Sequence, residues 1–161
     1  MPEPCTRCLI LACGNALRED DGVGPWLAAW TEGRFRKEPG VRVVSRHQWT
    51  PELAADIAAA DVVLFLDCAA NGTPGEIRIV PVEAGGESPS LATHQQDASQ
   101  LLQLGRELYG SSPHSARLIT VGAGSTELRE GFSDAVTRAL PEACRLIAIT
   151  VNGWLSGEEI P

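Results

Sequence analysis

The chain has 161 residues, 43% of them hydrophobic and 21% charged, which is enough for one domain with a buried core and too apolar for a disordered chain. A formal net charge of −8 argues against nucleic acid or an anionic membrane surface as partner, since both select a basic face. No apolar run approaches the roughly 18 residues of a membrane span, and the first residues lack the basic and apolar regions of a signal peptide, so no membrane insertion and a cytoplasmic location are expected.

In chain order, an expected mobile tail over residues 1–6 precedes a first strand, Cys8–Cys13. A helix follows near Gly22, where Val23, Trp26, Leu27 and Trp30 recur at i, i+3, i+4 and i+7 and read as a stripe facing the core. Pro25 falls in its first turn, where no intrahelical N–H bond is lost. Val41–Arg46 is the second strand. Thr50, Pro51 and Glu52 then supply an N-cap, a first helical residue and a first-turn acid. Val62–Asp67 is an unbroken apolar run closing on an acid, the pattern of a strand covered on both faces.

Asn71–Gly75 (NGTPG) reads as a turn. Glu76–Val82 alternates apolar and polar residues, with Pro81 near its end, and marks a sheet edge antiparallel to its neighbour. Glu83–Ser90 (EAGGESPS) has little to bury and is the expected flexible segment. A helix runs from His94 to Tyr109, with Ala98, Leu101, Leu102, Gly105 and Leu108 on one face, and Ala116–Gly122 is the last strand. The carboxyl-terminal region reads as a short helix, a longer one starting at Pro141 that packs Ala143, Ile147 and Val151, and a tail over 152–161. The pattern predicts one α/β domain over residues 1–161: a mostly parallel twisted sheet of about five strands, mixed at one edge, with helices on both faces.

In such sheets the site lies beyond the carboxyl ends of the strands. Three segments bring ligand-type side chains there. The loop after the first strand carries Glu19, Asp20 and Asp21, the third strand ends at Asp67, and His94 opens a helix. Two carboxylates and an imidazole suit a borderline divalent ion such as zinc, nickel or manganese. Simpler readings stand beside this one. Acids at a helix start answer the macrodipole, an Asp at a strand end forms turns, and a His at a helix start can be a cap or a solvated side chain. A Cys68–His94 nucleophile is a further candidate, set against simple packing of a small buried cysteine.

Other chemistries lack their residues. There is no phosphate-binding G-x4-G-K-[ST] loop and no G-x-S-x-G elbow. Gly122–Glu127 (GAGSTE) lacks the third glycine of a dinucleotide fingerprint. A response-regulator receiver would have its acids directly against the first strand and a lysine after the last. The five cysteines (Cys5, Cys8, Cys13, Cys68, Cys144) fit reduced thiols, and Cys5-x-x-Cys8, with no second pair to complete a zinc site, reads as a mobile pair.

The segment CGNALREDDGVGP, Cys13–Pro25, resembles the G-N-x-L-x-x-D-[DE]-G-x-G loop of the hydrogenase maturation proteases. The stretch from Arg46 to Ile77, the helix start THQQDASQLLQL and the segment FSDAVTRALPEACRLI are similar to further blocks of that family, so the resemblance runs from about Cys8 to Val151. It implies an endopeptidase that trims the carboxyl-terminal extension from the precursor of a [NiFe] hydrogenase large subunit. It also implies that Asp21, Asp67 and His94 are the catalytic, metal-contacting residues, with Asp20 in support and Glu19 as solvent-facing charge. Nickel is then supplied by the precursor rather than permanently bound. Gly14 and Asn15 would shape the turn, and Gly22 and Gly24 would admit a ligand close to the backbone. A non-catalytic nickel-binding accessory protein is the alternative. Cys13 stands where the family often has glycine, and VGAGSTEL replaces its more usual G-I-x-P-E segment.

Overall fold

The computed structural model describes residues 6–86 and 93–158, with only the backbone of residues 93–96. Five strands, β1 (Cys8–Cys13), β2 (Val41–Arg46), β3 (Val62–Ala69), β4 (Ile77–Pro81) and β5 (Ser115–Gly122), form one sheet in the order β2-β1-β3-β5-β4. All pairings are parallel except that of β4 with β5, so Pro81 ends an antiparallel edge strand as the alternating pattern predicts. The helices are α1 (Val23–Arg34), α2 (Ala54–Ala59), α3 (Thr93–Tyr109) and α4 (Asp134–Leu155).

Strand side chains alternate between the faces, and the two faces make two cores. Cys8, Ile10 and Ala12 join Val62, Leu64, Leu66 and Cys68 under α1 and α4. Leu9 and Leu11 join Val63 and Phe65 under α2 and α3. Leu64 and Phe65 are both fully buried, on opposite faces, which is why β3 shows no polar alternation. Each such side chain contributes about 1.5–3 kcal/mol.

From β1 the chain goes out to β2 on one side, then returns across β1 to β3 on the other. The crevice at the carboxyl ends of β1 and β3 is therefore the switch point of the sheet. The helix α3 is about 25 Å long and hands over to β5 at the opposite edge, which puts its first turn, with Thr93 and His94, at the switch-point edge. Of the segment Glu83–Ser90, residues 87–90 lie outside the described residues, and Ala84 and Gly85 form a turn.

Several expectations are corrected. Trp26 is 40% exposed rather than core: the buried stripe of α1 is the narrower one through Val23, Leu27 and Thr31, and Trp26 stands at its margin, edge-on to Phe132. Leu108 is 63% exposed, because α2 is only six residues long, shorter than the α3 stripe it covers. Thr50 is extended, but Pro51–Leu53 forms a tighter 3-10 turn before α2 begins. Cys8 is not part of a mobile pair. It is buried in β1, while Cys5 lies outside the described residues. The tail expected from residue 152 starts later, since α4 runs to Leu155 and Trp154 is buried.

The carboxyl-terminal helix is also continuous through Pro141. The proline and Thr137, whose carbonyl loses its intrahelical partner, are both on the exposed side, so that carbonyl is not sealed in the core. Val136 and Ala139 before the proline, and Ala143, Ile147 and Val151 after it, are buried in one core that holds both halves in line. Replacing Pro141 with Ala restores the bond and removes the ring clash. Pro141→Ala is expected to stabilise the protein by about 1–3 kcal/mol, read as a higher urea midpoint at unchanged slope.

Candidate functional site

Gly14 turns the chain at the end of β1. Its φ is +147°, and a Cβ there would overlap the backbone oxygen of Asp21. Asn15 closes the turn: its Oδ1 accepts from Leu17 N at 3.0 Å, and its own N–H donates to Asp21 Oδ2 at 2.8 Å. The glycines that follow serve the fold rather than a ligand. A Cβ on Gly24 would strike the Cys13 carbonyl, and one on Gly22 would crowd Ala16. Glu19–Gly22 forms a 3-10 turn. Three residues per turn sends consecutive side chains about 120° apart, so three adjacent acids meet three different environments.

Asp20 is fully buried. Its Oδ2 accepts from Gly124 N (2.7 Å), Ser125 N (3.0 Å) and Ser133 Oγ (2.7 Å), and its Oδ1 accepts from Ser133 N (2.7 Å). Burial pushes the carboxyl up, but the hydrogen bonds from Ser133, Ser125 and Gly124 outweigh it and hold Asp20 below the usual carboxylate range. Ser133 is the N-cap of α4 and accepts from Val136 N, so the carboxylate joins the β1 loop both to the loop after β5 and to the start of α4. The atypical Gly122–Glu127 segment thus supplies backbone donors at a place where its side chains suggested no role.

Glu19 is not solvent-facing; it is only 6% exposed. Its backbone sits in the left-handed region at φ +50°, its N–H donates to Arg129 O at 2.8 Å, and its Oε1 accepts from Arg129 Nε at 2.9 Å. The partner is 110 residues away, which is why the sequence did not reveal it.

Asp21 is half-buried and lines a cavity of about 600 Å³ with Asn15, Arg18, Arg46, His47, Gln48 and Thr50. Asp67 does not end its strand as expected: β3 continues through Cys68 to Ala69, because its pairing with β5 runs that far, and Asp67 lies within it on the face covered by α2 and α3, 1% exposed. Its Oδ1 accepts from Cys68 N at 2.7 Å and from the Cys13 thiol at 3.6 Å. Cys13, next to Asp67 across the β1–β3 pair, therefore orients that carboxylate.

The two thiols register how close the acids are. Burial, then the charges of Asp21, Asp67 and Asp20, push Cys68 up to about 12. Burial, the charge and hydrogen bond of Asp67, and the charges of Asp21 and Asp97 push Cys13 up further. The structure therefore brings Asp20, Asp21 and Asp67 around one edge, and adds Asp97, one turn beyond His94 on α3, which the sequence reading missed. The His94 side chain lies outside the described residues. Among the described residues no three His, Cys, Asp or Glu side chains form a metal-holding group. Burial and the neighbouring carboxylates disfavour a thiolate at Cys68, the nucleophile of the Cys68–His94 candidate.

No protein-family model and no curated protein matches the chain. Solved structures match its fold. The hydrogenase maturating endopeptidase HybD from E. coli aligns with a TM-score of 0.73 over 91% of this chain and 93% of its own, at 20% identity. A hydrogenase 2 maturation peptidase from a Thaumarchaeota archaeon aligns at 0.67 over 91% and 99%, at 24% identity. The [NiFe] hydrogenase maturation protease HycI from Thermococcus kodakarensis aligns at 0.63 over 91% and 92%, at 26% identity. The chain has the single-domain α/β fold of the hydrogenase maturation endopeptidases.

Two outcomes follow from this geometry. Asp20→Asn turns an acceptor into a donor facing N–H groups and is expected to cost about 3 kcal/mol. Because the folded carboxyl lies below its unfolded value, its stabilisation is complete above about pH 4 and lost as pH falls through the folded value. The gap between wild-type and Asp20→Asn denaturation midpoints should therefore narrow on acidification below pH 4. Cys13 and Cys68 should resist iodoacetamide at pH 8 in the native protein and label fully in denaturant, read by peptide mass.

Proposed function

We propose that the chain is an endopeptidase that removes the carboxyl-terminal extension of a [NiFe] hydrogenase large-subunit precursor after nickel insertion, in the cytoplasm. The observation that carries this reading is the convergence of the β1 loop, Asp67 and the first turn of α3 at the switch point, in a chain with the fold of hydrogenase maturation endopeptidases. Nickel belongs to the substrate here. Asp21, Asp67 and His94 form a partial donor set that the precursor's own nickel completes, so the metal's presence is checked before cutting. The mixed carboxylate–imidazole chemistry suits a borderline divalent ion.

The residues divide the work by how they are held. The Asp67 Oδ1 atom is fixed by Cys68 N and the Cys13 thiol, which sets the carboxylate's direction without demanding solvent. Asp21 is fixed at Oδ2 by Asn15 N and lies on the wall of an open cavity that a bound chain segment can enter. Water is the attacking group. The precursor's metal polarises the scissile carbonyl or that water, and a carboxylate outside the coordination shell takes the proton. Removal of the extension frees the new carboxyl terminus of the large subunit to close over its metal centre.

The test is co-expression with a nickel-loaded large-subunit precursor, followed by intact mass of the subunit. Wild type should shorten the precursor. Asp21→Asn and His94→Ala, with wild-type melting curves, should slow shortening about 100-fold or more. Normal processing by either variant overturns the site. A wild-type protein that binds the nickel-loaded precursor without ever shortening it overturns the protease reading in favour of the accessory one.

A further inference from the structure

On the other side of the 3-10 turn from Asp21 lies a second cavity, of about 390 Å³, that takes no part in the chemistry above. Ala16, Glu19, Pro25, Trp26, Glu130 and Phe132 line it, with backbone from Gly22 and Gly131. The volume is at the low end for ligand pockets and suits one long side chain better than a cofactor. Its walls are aromatic and acidic, with no cation among the lining residues. Trp26 and Phe132 meet edge to face at 6.4 Å, and Trp26 is 40% exposed.

Glu19 makes this more than an apolar dent. It is 6% exposed, and Arg129 satisfies only Oε1; Oε2 is buried with no hydrogen-bond partner among the described residues. A buried carboxylate oxygen without a donor is costly and calls for a reason. The Arg129 pair accounts for Oε1 but not for Oε2, and the left-handed backbone would suit Gly or Asn better than Glu.

We propose that this cavity is a subsite for a basic side chain, arginine or lysine, presented by the polypeptide bound at Asp21. The cation gives Oε2 its missing donor and answers the charge of Glu130, Glu19 being already paired with Arg129, while its methylene stem and head lie against the Trp26 and Phe132 rings. A leucine or methionine would fill the volume but leave Oε2 unpaired and further from water. Oε2 is sheltered from solvent, so engaging it involves rotation of the Glu19 side chain or of the rings beside it, and the Trp26 indole reports either. That the occupant belongs to a hydrogenase precursor rests on the endopeptidase reading; the preference for a cation does not.

The experiment separates the two. In ¹⁵N-labelled protein, with the Trp26 indole signal assigned through Trp26→Phe, N-acetyl-arginine amide and N-acetyl-lysine amide are titrated against N-acetyl-leucine amide. Saturable shifts of the Trp26 signal are expected with the basic probes, at least about tenfold weaker with leucine, and lost in Glu19→Gln. If Glu19→Gln does not fold, Glu130→Gln and Phe132→Ala must each weaken the basic probes. Absence of a Trp26 shift, or equal shifts with leucine, overturns the subsite. In the processing assay, Trp26→Ala should raise KM for the precursor and leave kcat unchanged. A precursor that is never cut removes the endopeptidase reading but leaves the Trp26 titration standing.

Discussion

The Asp20 carboxylate accepts four hydrogen bonds from Gly124, Ser125 and Ser133, residues more than a hundred positions later in the chain. The arrangement at the switch-point edge hangs on it. It fixes the 3-10 turn, and a fixed turn sends Glu19 one way and Asp21 another. It also seats the cap of α4, whose long buried stripe completes one of the two cores. A charged group out of water is normally a liability; here three backbone N–H groups and a hydroxyl replace the solvent it lost.

Around the two thiols of this edge the field is negative, while Arg18 and Arg46 stand beside Asp21 on the cavity wall. Asp20, Asp21 and Asp67 all bear on the Cys68 thiol, and Asp97 adds to the field at Cys13. That field, with burial, disfavours the thiolates. This is the electrostatic setting a nickel-bearing precursor would meet under the proposed function. It makes the cysteines spacers and donors, with Cys13 holding Asp67 where a glycine could not.

The bounds of β1 and β2 were legible because Gly, Asn and Pro cut those runs, whereas β3 runs two residues past the acid expected to end it. The antiparallel edge was legible from Pro81 and the alternation before it. Helix details were harder. Periodicity shows which face is apolar but not how wide a face the neighbour covers, and Trp26 and Leu108 fell outside the covered part. Pro141 marks a lost bond, yet whether the helix breaks depends on packing either side of it, which is tertiary information. The acids were gathered to the correct edge by topology alone. What Asp20 and Glu19 do there was hidden, because their partners are distant backbone groups and one remote arginine. One signal was available: Ser133 just before Asp134-Ala-Val is an N-cap pattern, and a capping serine at that edge has a hydroxyl to give.

The span of the Asp20 contacts has a temporal consequence. A ribosome makes the acids of the first loop long before it makes their donors, and Ser133 comes 113 residues after Asp20. The sheet's first parallel pair can form early, but the Asp20 carboxylate lacks its donors until the chain has reached Gly124 and then Ser133. Contacts of such long sequence separation form late, after their loop-closure cost has been met. The Asp20 tie at the edge that carries Asp21 and Asp67 therefore closes only after Ser133 has been made.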